Sequence, residues 1–233
     1  MIAGKRGSQR SMRAGRVPNA VHESGPWRIR EIAADFTLED VWALPVHGGV
    51  DDFEAVIDQA LDSDPAGAEE SIPARALWRL RDGMGRWLGL GRVAEAITPG
   101  SRNSTGPLPI PGTHETSLRD RLPEDLRNTA AGLRFRRLPF VPLYRTDVEF
   151  AAEVSNLTVH GVMHLAWAEC GGGRYQGQMA VYVKPRGLFG EVYMAAIKPF
   201  RYWVVYPALL REIERSWKVG RRPASRAATR AAR

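Results

Sequence analysis

The sequence predicts an α+β fold in which a curved antiparallel sheet packs around one long C-terminal helix, with extra helices toward the N-terminus. Three observations carry that expectation. Residues 157–184 read as two alternating strands joined by a Gly-rich turn at Gly171-Gly172-Gly173. They run through Lys198-Pro199-Phe200-Arg201 into an aromatic-rich helical stretch that reaches about Trp217. Upstream, residues 37–61 carry the patterns of two short helices, a pair suited to closing one end of a sheet. A sheet gripping a helix often encloses a pocket.

Taken in order, Trp27-Arg28-Ile29-Arg30-Glu31-Ile32 alternates with period two and predicts a first strand. Thr37 offers an N-cap, with Glu39 and Asp40 in the first turn of a helix to Leu44, stopped by Pro45 and Gly48-Gly49. A second helix starts at Asp51 or Asp52 and places Phe53, Val56, Ile57, Ala60 and Leu61 on one face. Pro73 suits the first turn of another, with Leu77, Leu80, Met84, Trp87 and Leu88 as its apolar stripe. Residues 98–116 are rich in Pro, Gly, Ser and Thr. They predict a flexible loop, either a lid over a pocket mouth or a dispensable insertion. Short turns or helices start at Ser117 and at Pro123, and Leu133–Arg136 reads as extended. Pro139 and Pro142 push the next piece to a sheet edge or a crossing segment, and residues 148–154 read as a strand, with one helical turn at 149–153 as the alternative, before the Ser155-Asn156 turn.

In the strand from Leu157, one face carries Leu157, Val159, Gly161, Met163, Leu165 and Trp167. The other carries Thr158, His160, Val162, His164 and Ala166. In its partner, Met179, Val181 and Val183 oppose Gln176, Gln178, Ala180, Tyr182 and Lys184. The apolar sets are expected to turn toward the helix and the His/Gln/Tyr/Lys sets to lie outside, unless another layer covers them. Phe200, Trp203, Val204, Pro207, Leu210, Ile213 and Trp217 form the helix stripe. Pro199 is expected to break the helix from residues 193–197, and Pro207 to kink it or mark its first turn. Two outcomes compete beneath such a helix, a cavity or tight closure by Trp203 and Trp217.

The net charge of +7 belongs to the ends of the chain. Residues 1–16 hold five basic side chains, residues 218–233 hold six, and neither segment has an acid. The remaining body carries 22 basic against 26 acidic residues, a net of −4, which disfavours nucleic acid as a partner. The Arg/Ala/Ser-rich ends bury too little apolar surface to fold, so 1–20 and 218–233 are expected as disordered tails around a single domain, 21–217. Cys170 is the only cysteine, which excludes an intrachain disulfide and a multi-cysteine zinc site. Without an apolar signal core or an 18-residue apolar run, the protein is expected to be cytoplasmic and not membrane-spanning.

His160 and His164 form an H-x-x-x-H spacing that would suit zinc on a helix. On a strand they share a face about 13 Å apart, too far for one ion, so no metal and no cofactor is expected. Glu149 and Glu153 lie just across the Ser155-Asn156 turn, so either histidine with either carboxylate is a candidate acid–base pair. Gly89-Leu90-Gly91-Arg92-Val93-Ala94 fits a loose dinucleotide pattern but follows a helix instead of a strand, which removes its phosphate-binding context. Aromatics beside Lys198 and Arg201 suit peripheral contact with a membrane surface, or burial in the domain's own core.

Four ordered blocks carry a resemblance. They are Leu118-Arg119-Asp120-Arg121-Leu122-Pro123, Ser155-Asn156-Leu157-Thr158-Val159-His160, Gln178-Met179-Ala180-Val181-Tyr182-Val183-Lys184-Pro185, and Tyr193 through Arg201 followed by Val205-Tyr206-Pro207-Ala208-Leu209-Leu210. Together, over about residues 27–217, they resemble a bacterial family of uncharacterised proteins, domain of unknown function 2867. That resemblance implies a helix-grip (START/Bet v 1-like, SRPBCC-like) domain, often with an apolar ligand cavity, and brings no catalytic residues with it. The leading expectation is therefore binding of a small apolar molecule between sheet and C-terminal helix, lined by Met163, Trp167, Met179, Val181, Trp203 and Tyr206. A lyase or isomerase using the same cavity with a His/Glu pair is the second, and a pocketless interaction module the third.

Overall fold

A computed structural model describes residues 13–63 and 108–220. The helix expected from Pro73, the Gly89–Ala94 motif and the first part of the 98–116 loop lie outside the described residues, as do most of both basic ends. Among the described residues the strands are β1 (Gly15–Val17), β2 (Thr37–Gly48), β3 (Val141–Arg145), β4 (Glu149–Ser155), β5 (Val159–Gly171) and β6 (Arg174–Pro185). They form one six-stranded antiparallel sheet in the order β1-β2-β6-β5-β4-β3. The helices among the described residues are α1 (Asn19–Glu23), α2 (Ile29–Ile32), α3 (Phe53–Asp62), α4 (Gly187–Phe200) and α5 (Tyr206–Gly220). A π-helical turn, Arg201–Val205, joins the last two. Sheet plus long C-terminal helix is the α+β architecture the sequence predicts.

The β5–β6 hairpin follows from its glycines. Gly171 pairs with Arg174, leaving a two-residue loop in which Gly172 and Gly173 have φ of 64° and 71°. Positive φ at both loop positions matches the right-handed twist of the flanking strands, and only glycine adopts it without steric cost.

The sheet is covered on both sides. On the front face Trp42, Leu44, Phe150, Leu165, Trp167 and Met179 pack against α3 and Tyr206. On the back face Val41, Ala43, Tyr144, Val162, Ala180 and Tyr182 pack against Trp27, Ile29, Ile32, Phe36, Leu118 and Leu126. This second layer corrects the expectation that the His/Gln/Tyr/Lys sets face outward. His160 and His164 are both 0% exposed.

Several element assignments change with physical cause. The strand expected at 27–32 is replaced by the single turn of α2 at Ile29–Ile32, because Ile29 and Ile32 stand one helical turn apart and both bury. The helix expected at 37–44 is instead strand β2. Val41 and Ala43 bury on one face, Trp42 and Leu44 on the other, so the strand carries no alternation to read. Pro45 is tolerated where the β2–β6 register shifts between Ala43 and His47. Leu133–Arg136 joins no strand. The expected helix at 53–61, the short 3-10 turns after Ser117 and Pro123, and the edge strand containing Pro142 are all present.

The C-terminal helix runs through Pro199, which sits inside α4. The discontinuity falls one turn later, where the Tyr206 amide donates to the Arg201 carbonyl five residues back. Pro207 lacks a donor for the next bond, and the π turn accommodates that loss without a break. One extra residue per turn also rotates the stripe. Tyr206 points into the sheet, whereas Trp203 is 82% exposed and lines nothing beneath the helix, a correction to its expected role. At the start of α4, Gly190 approaches the sheet so closely that a Cβ there would lie 2.3 Å from the Thr158 carbonyl oxygen.

Candidate functional site

Two polar clusters interrupt the apolar interior, one on each face of the sheet. The back-face cluster is written in the β4–β5 register. Glu149 stands opposite Ala166 and His164 opposite Ala151, so carboxylate and imidazole meet on the diagonal across two alanines. His164 Nε2 lies 3.1 Å from Glu149 Oε2. The same diagonal repeats toward the turn, where His160 Nε2 lies 2.9 Å from Glu153 Oε2. The candidate pairs are thus His164 with Glu149 and His160 with Glu153.

Each carboxylate is held from further sides. Glu149 accepts from the Arg28 amide, at 3.1 Å and 2.9 Å to its two oxygens, and from the Tyr144 hydroxyl at 2.9 Å. Glu153 accepts from the Leu118 amide at 3.0 Å and from the Ser117 hydroxyl. Burial alone would raise both carboxyls. Hydrogen bonds from His164 and His160, joined by those donors, outweigh it and hold each below its ordinary value. Burial also lowers His164 against the opposing pull of Glu149. The state consistent with both directions is a neutral imidazole donating its Nε2 proton to an ionised carboxylate.

Around His164 the aromatic packing is dense. His22 meets it edge to face at 5.0 Å and stacks on Trp27 at 5.7 Å, with Tyr182 at 6.1 Å. Burial first, then the neighbouring His164, pushes His22 down to about 3 from its ordinary 6.5. Gln178 offsets a little of that shift without a well-aligned hydrogen bond to either ring nitrogen. A pH prediction follows with a definite sign. Between pH 6.5 and about 3 the unfolded chain binds a proton at this position that the folded chain excludes, so stability falls on acidification. The limiting slope is about 1.4 kcal/mol per pH unit. The thermal midpoint should fall already between pH 6.5 and 5, above the range of ordinary carboxyls, and His22→Phe should flatten that decline. An unchanged slope in the variant would refute the assignment.

The front-face cluster depends on an irregularity. In the β2–β6 ladder Leu38 pairs with Tyr182 and Asp40 with Val181, so the register skips Glu39. Without that bulge Asp40 would share Leu38's face; with it the carboxylate turns toward the C-terminal helix. Asp40 is fully buried and accepts from the Tyr206 hydroxyl at 2.9 Å, the Trp42 indole at 3.1 Å and Arg201 Nη2 at 2.9 Å. Arg201 also donates to the Tyr206 hydroxyl. The π turn sets Arg201 and Tyr206 five residues apart on the side facing β2. Burial would lower Arg201, but Tyr206 and Asp40 outweigh it and the guanidinium stays charged. Burial raises the Tyr206 hydroxyl, which is therefore neutral.

Of the six expected lining residues, Met163 and Val181 are half-buried on the front face, and Met179 and Tyr206 are buried there. Trp167 is buried on the same face but at the α3 end, stacked at 5.9 Å on Phe53, with its indole donating to the Gly49 carbonyl at 2.9 Å. Trp203 is exposed. The His/Glu pairs face the layer opposite the C-terminal helix, whereas the enzyme expectation required them on the helix side. Sequence reasoning missed Asp40, Arg201, His22, Trp27, Tyr144 and Tyr182; the acidic residue immediately before Val41 and Trp42 is the one available signal. Among the described residues no group of three or more His, Cys, Asp or Glu side chains is placed to hold a metal ion, and no helix is long and apolar enough to cross a membrane.

No match to this chain is found among curated proteins, nor among solved structures. Residues 32–208, which span strands β2 to β6, the Asp40–Arg201–Tyr206 cluster and both His–Glu pairs, match a family model, and the chain belongs to that family, described as Protein of unknown function (DUF2867).

Proposed function

We propose that this is a helix-grip, START/Bet v 1-like domain that binds a small, largely apolar molecule between the front of the sheet and the C-terminal helix. One observation carries the reading. Met163 and Val181 on the sheet, and Tyr202, Leu209 and Ile213 on the helix side, remain only half-buried although they belong to or pack against the front-face core. Apolar groups left part-open beside a long helix favour a guest that completes their burial, at roughly 25 cal/mol per Å² covered.

The buried Asp40–Arg201–Tyr206 cluster supplies the polar end of the seam. Asp40 and Tyr206 engage only Nη2 of the guanidinium, so its remaining donors suit a ligand oxygen. Because carboxylate and guanidinium offset each other, a neutral carbonyl or hydroxyl fits better than a full charge.

Native mass spectrometry of freshly purified protein tests this, together with titration of the apolar dye 1-anilinonaphthalene-8-sulfonate. The expected result is one adduct of constant stoichiometry, or saturable dye binding, that Val181→Trp abolishes by filling the seam. A bare chain mass with no saturable dye binding would overturn the reading and favour a pocketless interaction module.

A further inference from the structure

The back face of the sheet holds a second, unassigned cluster. Buried polar atoms ordinarily find partners, because desolvation without one is costly. Five here do not: both ring nitrogens of His22, Trp27 Nε1, His164 Nδ1 and the Tyr182 hydroxyl. They are neighbours. His22 lies at the centre, within 5.0 Å of His164, 5.7 Å of Trp27 and 6.1 Å of Tyr182 by ring centroid, and Trp27 lies 6.0 Å from His164.

Their chemistry is complementary. His164 gives its Nε2 proton to Glu149, so Nδ1 presents a bare lone pair. Trp27 offers only a donor, Tyr182 a donor and an acceptor, and a neutral His22 one of each. Glu149 is already engaged by the Arg28 amide, Tyr144 and His164, while Arg30 acts on His22 and Tyr182, and Glu23 on Tyr182, through charge alone. Burial disfavours the cationic form of His22 and of His164. A neutral group that both gives and accepts hydrogen bonds would satisfy several orphans at once.

We propose that the His22–Trp27–His164–Tyr182 cluster is a binding site for a small neutral molecule bearing a hydroxyl, amide or carbonyl oxygen, on the opposite face of the sheet from the seam. Its cover is thin. The five-residue helix α1 and the turn at Ser24-Gly25-Pro26 lie over it, with Glu23, Ser24 and Pro26 exposed. Gly25 sets the position of the indole, since a Cβ there would lie 2.2 Å from Trp27 Nε1. His164 is the acceptor and Glu149 its positioning residue, because Glu149 fixes which nitrogen carries the proton.

The test uses the full chain labelled with ¹⁵N-histidine and titrated with acetamide, acetone and 1,2-propanediol in turn. The expected result is a saturable shift of the His22 and His164 ring nitrogens with at least one probe. In Tyr182→Phe, which deletes a single oxygen, the same shift should need about tenfold more probe, the effect of one lost hydrogen bond. His164 Nδ1 should report an unprotonated nitrogen before and after titration. No saturable shift with any probe, or equal affinity in Tyr182→Phe, would overturn the proposal and leave ordered water as the partner of these atoms.

Discussion

Replacing Glu149 with alanine should cost the fold about 4 kcal/mol, the largest effect expected of any single side chain here. The carboxylate sits in the dry back layer and receives the Arg28 amide, the Tyr144 hydroxyl and His164 Nε2. Alanine leaves those three donors with neither protein nor bulk water, and each orphaned donor costs about 1–3 kcal/mol before the structure relaxes. Equilibrium unfolding in urea measures the loss. Glu54→Ala is the control: its pair with Arg145, at 3.1 Å, lies on the surface and should move stability by less than about 1 kcal/mol. Replacing Glu149 and His164 together with leucine should cost less than Glu149→Ala alone, because the donor most dependent on the carboxylate leaves with it. A Glu149→Ala loss below about 1 kcal/mol would mean that the back layer is wet.

Asp40→Ala should follow at about 3 kcal/mol. Here the stranded groups are the Arg201 guanidinium, the Trp42 indole and the Tyr206 hydroxyl. The loss is smaller than at Glu149 because Arg201 retains some exposure, 14% of its side chain, and can turn partly toward water. Asp40→Asn separates the components. It preserves an acceptor for Trp42 or Tyr206 while removing the countercharge, so it should fall between wild type and Asp40→Ala. Adduct or dye binding in the seam should weaken in both variants, because Arg201 and Tyr206 lose the group that orients them. Equal stability of wild type and Asp40→Ala would show that the cluster does not fasten the helix to β2.

The legible parts of this chain were those with a single wet or polar face. Strands 157–184 declared their two sides because Met163, Leu165 and Trp167 alternate with His160, Val162 and His164. The His–Glu pairing was suggested by closeness across a short turn, and the ladder register turns that closeness into contact on the diagonal. Strand β2 was hidden for the opposite reason: buried on both faces, it has no alternation, and its acids resembled a helix start. The back layer is made of pieces of four and five residues, too short for any period to emerge. Prolines at 199 and 207 announced a disturbance in the last helix, but a break and a change of phase carry the same two residues. Only the second sends Trp203 outward and Tyr206 inward.

The two outermost strands of the sheet are its shortest, three residues in β1 and five in β3, and β3 carries Pro142 where its pairing with β4 shifts register. A missing amide hydrogen and a local jog deny an incoming chain the even row of partners that amyloid-like stacking requires. The long central ribbons, β5 and β6, which would be the most adhesive segments if laid bare, are flanked on both sides and never reach a border. The fold thereby guards against self-templated polymerisation through its margins, leaving the interior free to carry polar chemistry.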